Sequence, residues 1–178
     1  MLRDLYRESV PKLMQSIGID NVMRVPRVKS VHLNIGYGAA CKDSKLIAAP
    51  VDDLSLIAMQ RAVQTVAKKS VAGFGLRKGF PIGAKVTLRR DKAYDFMERL
   101  IYVALPREKD FRGFSGSQFD GKGNFSFSVR EHISFLEVDY DKVHSVYGVN
   151  VTIVTTAHTD ADALKLFMVL GFPFYDVQ

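Results

Sequence analysis

Residues 67–90 read AKKSVAGFGLRKGFPIGAKVTLRR, a stretch with closely spaced cations and glycines and no carboxylate. Its end, Ala84–Arg90, alternates, with Val86 and Leu88 on one face and polar or charged residues on the other. This alternation predicts a half-buried strand. The part before it is too long for a hairpin turn and has little apolar bulk to bury. It therefore predicts an extended loop that follows a short strand over Ala62–Ala67.

The region around this stretch contains many cations and no acidic residue. Between Leu54 and Arg90 the chain has eight Lys or Arg residues and no Asp or Glu, in a protein whose net charge is +6. A surface usually mixes both signs, so a long block of one sign favours a polyanionic partner over a solvated face that binds nothing. Nucleic acid is the leading candidate, and an anionic membrane surface is the second.

Length and composition limit the remaining possibilities. The 178 residues are 47% hydrophobic, which predicts one globular domain over residues 1–178. The single cysteine, Cys41, allows no internal disulfide and fits a reducing compartment. No stretch is long and apolar enough to span a bilayer, and the N-terminus lacks the apolar segment of a signal peptide. We therefore expect no membrane-spanning segment and, with nucleic acid as the preferred polyanion, no membrane partner.

Periodicity along the rest of the chain predicts the fold class. Val28–Tyr37 alternates, with Leu33 and Ile35 on an apolar face and His32 and Asn34 on a polar face that is available to a ligand. Helices are predicted over Leu2–Ile17, interrupted at Pro11, over Ser44–Gln60, over Asp91–Ala104 and after Thr159; further strands are predicted around Phe125–Val129, whose Phe side chains are interpreted as core, and over Val149–Thr155. This order predicts an α+β single domain. It has a mostly antiparallel sheet, helices on one face in a split β-α-β-like arrangement, and the long basic loop between two central strands.

Motifs for catalysis do not appear in the sequence. The glycines at 73, 75, 79 and 83 fit neither the phosphate-loop spacing nor the dinucleotide-binding fingerprint. No histidine lies in a zinc-binding spacing, and no nucleophile elbow is present, so we expect no catalytic residue, no metal and no cofactor. The histidines are interpreted as surface or strand residues.

Several blocks together resemble a known family. They are NVMRVPRVKSVHLNIGYG (21–38), the opening stretch (67–90), FMERLIYVALPREKDFRGFSGSQFDGKGNF (96–125), DYDKV (139–143) and TDADALKLFMVLGFPF (159–174). Over nearly its whole length the chain resembles the large-subunit ribosomal protein five family, bacterial type, whose members bind 5S ribosomal RNA. The family commonly has glycine at the position of Met59.

The resemblance implies a non-enzymatic constituent of the large ribosomal subunit that binds 5S rRNA in the central protuberance. It also implies contacts with large-subunit rRNA, with P-site tRNA through the basic loop, with neighbouring central-protuberance proteins, and with a small-subunit head protein in an intersubunit bridge. The implied location is the ribosome of the bacterial cytoplasm, with an organellar matrix ribosome left open.

The resemblance also implies site residues. Asn34, Gln60 and Thr87 match the polar 5S rRNA contacts of the family, and Asn34 and Thr87 also fall on polar strand faces by periodicity. Amide and hydroxyl groups can read sugars and base edges, where a lysine would meet only charge. The full set of rRNA-binding candidates is Asn34, Gln60, Thr87, Arg89 and Arg90; the tRNA-facing loop candidates are Lys68, Lys69, Ser70, Arg77 and Lys78.

Two other functions stay open at this point. The same surface would suit a free-standing RNA-binding regulator or chaperone. A phosphate-handling enzyme is the third hypothesis, and it would be marked by nucleotide turnover with an RNA affinity that does not depend on salt.

Overall fold

A computed structural model of the protein describes residues 2–38, 47–143 and 145–175. The strands are β1 (Val28–Gly36), β2 (Val63–Val66), β3 (Pro81–Arg89), β4 (Phe125–Val129) and β5 (Val149–Thr155). The helices are α1 (Leu2–Ile17), α2 (Ala48–Ala58), α3 (Asp91–Arg99), α4 (Leu105–Arg107) and α5 (Asp160–Val169), and a π-helical segment, Leu100–Ala104, joins α3 to α4. Cys41, His144 and the predicted helix start at Ser44 lie outside the described residues.

The predicted fold class is confirmed, because the chain forms an α+β fold with a five-stranded antiparallel sheet. The strand order is β2-β3-β1-β5-β4. One detail differs from the prediction: the basic loop joins β3 to the edge strand β2, not to a second central strand. The predicted interruption of α1 is wrong as well. Pro11 is exposed inside a continuous helix, so no buried backbone group is left without a partner where its N–H is missing.

Contacts between backbone positions group the chain into two compact units. The first unit comprises residues 2–31, 89–127 and 152–175 of the described chain, and the second comprises 32–38, 47–88, 128–143 and 145–151. The boundaries fall inside strands, so the units are not separate segments of sequence. The prediction that residues 1–178 form a single domain stays a prediction.

In the first unit, α1 packs against α3 and α5. The buried side chains of α1 are Leu2 and Leu13, near its two ends. Polar contacts fix both ends: the Leu2 N–H donates to Glu98 Oε2 at 3.0 Å, and Lys165 Nζ donates to the Ser16 carbonyl at 2.7 Å. Gly18 then terminates the helix with a φ of 79°, in the left-handed region.

A cluster of phenylalanines forms the other part of the core of the first unit. Its members are Phe114, Phe119, Phe125, Phe127, Phe167, Phe172 and Phe174. Phe125 is 0% exposed and Phe127 is 8% exposed, which confirms their interpretation as core residues. The alternation of strand β4 therefore serves packing, and its aromatic side chains do not form a stacking surface.

The core of the second unit includes a buried polar side chain, His132. The His132 ring stacks on the Tyr147 ring with centroids 3.8 Å apart, and His132 Nδ1 accepts a hydrogen bond from the Tyr147 N–H at 3.4 Å. The Tyr147 hydroxyl donates to the Asp53 carboxylate. Burial lowers the pKa of His132, although Asp53 acts in the opposite direction. The imidazole is therefore neutral at pH 7 and acts as a packed acceptor.

Within the described ranges, no helix combines the length and the apolar character needed to cross a bilayer.

Candidate nucleic-acid interface

In the second unit, one face of strands β1 and β3 is apolar and buried, and the other face carries predicted contact residues. On β3, Ala84, Val86 and Leu88 are at most 4% exposed. Thr87, between two of them, is half-buried and points to the opposite face. On β1, Leu33 and Ile35 are buried and the intervening Asn34 is exposed. The period of two thus brings neutral polar side chains to a face that solvent reaches.

The structure brings Gln60 and Thr87 together. Gln60 Nε2 donates to the Thr87 carbonyl oxygen at 3.2 Å, which fixes the amide against strand β3. His32 Nδ1 and Thr87 Oγ1 share a hydrogen bond of 3.1 Å, in which either group can donate. Asn34 lies two residues from His32 on β1 and therefore on the same face. We refer to His32, Asn34, Gln60 and Thr87 as the polar face.

His32 was not among the predicted contact residues. The sequence carried a signal for it, because the alternation of β1 places His32 and Asn34 on one face. The sequence carried no signal for the contact between His32 and Thr87, since these residues are 55 positions apart and only the pairing of β1 with β3 brings them together.

The turn after α2 explains how Gln60 reaches β3. Met59, the residue that ends α2, has a φ of 48° and a ψ of 33°, in the left-handed region. The Met59 N–H bonds to the Leu56 carbonyl at 3.1 Å, and the Gln60 N–H bonds to the Ser55 carbonyl at 3.2 Å. The Ser55 hydroxyl also accepts from the Ala62 N–H at 2.9 Å. These bonds close the helix end and reverse the chain, as in a Schellman-type cap.

Met59→Gly is expected to stabilise the protein by about 0.5–1 kcal/mol. A side chain in the left-handed region costs roughly 1–2 kcal/mol, and the larger unfolded-state entropy of glycine offsets part of the gain. Met59 is 64% exposed, so its removal sacrifices little burial. Urea unfolding should show a higher midpoint with an unchanged slope. Met168→Gly, inside α5, is the matched control and should lower the midpoint; a loss of stability in Met59→Gly would contradict the assignment of strain.

Arg89 and Arg90, the other two predicted rRNA contacts, belong to the first unit. Both are exposed, Arg89 at the end of β3 and Arg90 immediately before α3. Arg90 has a φ of 54° and a ψ of −130°, a rare conformation for a residue with a side chain. The two arginines therefore do not lie with the polar face in one unit.

The predicted extended loop is instead a closed structure, which we call the finger (residues 67–80). At its base, the Ala67 N–H bonds to the Phe80 carbonyl at 2.8 Å and the Gly79 N–H bonds to the Ala67 carbonyl at 2.9 Å. Nearer the tip, Val71 and Leu76 exchange backbone hydrogen bonds of 2.9 and 3.1 Å. The backbone of the loop thus satisfies many of its own polar groups.

The finger presents four of its five predicted contact residues as cations. Lys68, Lys69, Arg77 and Lys78 are all exposed. Over residues 2–38, 47–143 and 145–175, none of the four is paired with a carboxylate. The fifth, Ser70, has a structural part: its hydroxyl accepts from the Lys78 N–H at 3.0 Å and so ties the two sides together.

The tip of the finger exposes an aromatic ring. Phe74 is 76% exposed and lies in a short 3₁₀ turn, Ala72–Phe74. Gly75 follows with a φ of 63°, a conformation that glycine adopts without strain. A cationic hairpin with an exposed ring at its end suits the backbone and bases of RNA.

The described residues contain no group of three or more His, Cys, Asp or Glu side chains placed to hold a metal ion. A polar sheet face and a cationic finger without carboxylates are features of RNA-binding proteins that contact sugars and base edges as well as phosphates.

Comparison with known proteins identifies the family within this class. Residues 21–77 match the family model of ribosomal protein L5, and residues 81–174 match that of the ribosomal L5P family C-terminus. The large ribosomal subunit protein uL5 of Wolbachia sp. subsp. Brugia malayi is 56% identical over 177 residues, which cover 99% of this chain and 100% of that protein. The uL5 proteins of Ehrlichia chaffeensis and Anaplasma phagocytophilum are 57% and 56% identical over 175 residues, covering 98% of this chain and 99% of each protein.

The chain belongs to the ribosomal protein L5 family, bacterial type. It is therefore a structural, non-enzymatic protein of the large ribosomal subunit that binds rRNA and serves translation. The resemblance found in the sequence is confirmed, and so is the expectation that the protein is not an enzyme.

Proposed function

We propose that the protein binds 5S rRNA in the central protuberance through the polar face, with Asn34, Gln60 and Thr87 as contact residues and Arg89 and Arg90 as additional phosphate contacts. The finger, through Lys68, Lys69, Ser70, Arg77 and Lys78, contacts P-site tRNA. Large-subunit rRNA, neighbouring central-protuberance proteins and a small-subunit head protein complete the set of partners, on the ribosome of the bacterial cytoplasm.

The arrangement of the polar face carries this proposal. Gln60 is held to the Thr87 backbone, and His32 is held to the Thr87 hydroxyl. Asn34 is exposed next to them. Fixed polar donors and acceptors suit a specific contact, because they can discriminate sugars and base edges and lose little rotamer freedom on binding. The finger supports the second part of the proposal, because its cations suit a phosphate backbone irrespective of sequence.

Asn34→Ala and Thr87→Ala are each expected to weaken binding to 5S rRNA by about 5- to 10-fold, the loss of one or two hydrogen bonds. Binding to an unrelated RNA hairpin should change by less than twofold. Filter binding at one fixed salt concentration measures both. Gln64→Ala is the matched control: Gln64 is exposed on β2 and pairs with Ala84, so it lies on the opposite sheet face. A variant that lost affinity equally for both RNAs would contradict the proposed specificity.

The finger variant separates the two parts of the proposal. Lys68→Ala combined with Lys69→Ala should leave 5S binding intact and impair tRNA-dependent steps of reconstituted ribosomes. Loss of 5S binding in this variant would overturn the division between face and finger.

If the wild-type protein bound 5S rRNA and the unrelated hairpin equally well, the free-standing regulator would become the better interpretation. Six phosphate contacts predict that log affinity falls with log salt at a slope of roughly −4 to −5.

A further inference from the structure

A cavity of about 730 Å³ in the first unit shares only Arg90 with the proposed 5S and tRNA contacts. It lies among the N-terminal part of α1, the start of β1, the start of α3 and Thr156. Its size falls within the range of about 300–1,000 Å³ that is common for ligand sites. The charged residues that line it are Arg3, Arg7, Arg27, Lys29, Arg90 and Asp91.

The lining has an excess of positive charge. Arg3 forms an ion pair with Asp91, the one carboxylate of the lining, and Arg7 lies 3.5 Å from Asp4. The other three cations are Arg27, Lys29 and Arg90. No carboxylate of residues 2–38, 47–143 or 145–175 pairs with any of the three. They come from two distant parts of the sequence and surround one space, so an anion there would relieve their mutual repulsion.

The backbone is strained at Arg90, one of the three cations of the cavity that are not paired with a carboxylate of the described residues. A φ of 54° with a ψ of −130° is a sparsely populated conformation that costs on the order of 1–3 kcal/mol in a residue with a side chain. No side chain caps the start of α3, where Arg90 stands. The residue in this strained conformation is thus an arginine at the positive end of a nine-residue helix, beside the cavity.

Two tyrosines contribute an aromatic wall that carries no charge. The ring centroids of Tyr6 and Tyr94 are 6.1 Å apart, and the Tyr6 hydroxyl donates to the Pro26 carbonyl at 3.0 Å. Burial, with a smaller effect of Tyr94, raises the pKa of Tyr6 to about 12. Burial also raises the pKa of Tyr94. Both hydroxyls therefore stay neutral at physiological pH and do not offset the cations.

We propose that this cavity binds a phosphodiester group of an RNA backbone, at a contact distinct from the polar face. The inference rests on the proposed function in that it takes RNA as the partner. RNA is preferred over a free anion because the cavity is far larger than one phosphate. It is preferred over an acidic peptide because the family belongs to the large ribosomal subunit, where the protein binds rRNA. The contact is independent of sequence, since arginine and lysine meet phosphate without reading bases.

The test removes two cavity cations that the 5S proposal does not use. Arg27→Ala combined with Lys29→Ala should reduce the salt slope by about 1.4–1.8 and weaken RNA binding roughly 30-fold at 100 mM salt. The loss should be the same factor for 5S rRNA and for the unrelated hairpin, which separates it from failure of the polar face. Lys12→Ala combined with Lys109→Ala is the matched control, since both lysines are exposed in the same unit and outside the cavity.

The remaining outcomes are decisive as well. A double variant that binds both RNAs like the control, while unfolding at the wild-type temperature, would overturn the proposal. Inorganic phosphate, added at constant ionic strength, should not displace RNA; displacement at millimolar phosphate would assign the cavity to a free anion. Competition by polyglutamate as strong as that by RNA would instead assign it to an acidic protein partner.

Discussion

Phe125→Ala is expected to lower the free energy of unfolding by about 4 kcal/mol. Phe125 is 0% exposed, and its ring centroid lies between 4.9 and 6.3 Å from those of six other phenylalanines. Removing the ring forfeits its transfer energy and leaves a cavity that rigid neighbouring rings cannot fill. Urea unfolding followed by circular dichroism measures the loss, which is a large part of the total stability of a typical domain, about 5–15 kcal/mol.

Phe74→Ala is the control for this substitution, since it removes the same ring from the exposed tip of the finger. Its unfolding free energy should remain within about 0.5 kcal/mol of wild type. Phe125→Leu, which keeps part of the volume, should lie between the two. A loss below about 1.5 kcal/mol in Phe125→Ala would mean that the cluster repacks and does not act as a rigid core.

Gly83→Ala is expected to cost about 2–3 kcal/mol, for the opposite reason. A Cβ atom at this position would lie 2.3 Å from the Ile35 carbonyl oxygen and 3.1 Å from Thr65 Oγ1. The first contact is with backbone, which cannot rotate away, so β1 and β3 would have to separate. Since the His32–Thr87 hydrogen bond depends on the approach of these two strands, 5S rRNA affinity should fall together with stability.

Gly73→Ala provides the matched control, because no atom lies within 4 Å of a Cβ atom there and its φ is not in the left-handed region. Its unfolding free energy should be unchanged or slightly higher, as the unfolded chain loses freedom. Equal midpoints for Gly83→Ala and Gly73→Ala in thermal unfolding would show that the β1–β3 approach is looser than the contact distances indicate.

The sequence was sufficient for the elements whose signal is local. Strands β1 and β3 were predicted because apolar and polar residues alternate along each of them, and this pattern needs no knowledge of their partners. The continuity of α1 could not be read in the same way. Proline removes one hydrogen bond, and whether the helix continues depends on the packing of Leu2 and Leu13, on either side of Pro11.

The polar face was predictable in part. Periodicity assigned Asn34 and Thr87 to polar faces, and both are accessible in the structure. The hydrogen bond of Gln60 to the Thr87 backbone was not predictable, because it depends on a left-handed backbone conformation at Met59. Methionine rarely adopts that conformation, so its presence in the sequence does not indicate such a turn.

Charge patterns were informative only where the cations are consecutive. The basic finger follows from a run of sequence without carboxylates. The cavity of the first unit gathers Arg3, Arg27 and Arg90, which no window along the chain would contain together. Its positive excess arises from tertiary structure, so the sequence alone does not show it.

The hydrogen bonds across the finger affect the rate at which it can associate with a partner. They run from its base at Ala67 to the Val71–Leu76 pair. Ordering a slack segment costs about 1–2 kcal/mol for each residue that is fixed. A finger that already has its folded conformation before binding avoids most of that cost, and it does not need to sample other loop conformations before it binds. For the proposed contact of the finger with RNA, diffusion and attraction between opposite charges should then set the association rate, which should rise at low salt and fall at high salt.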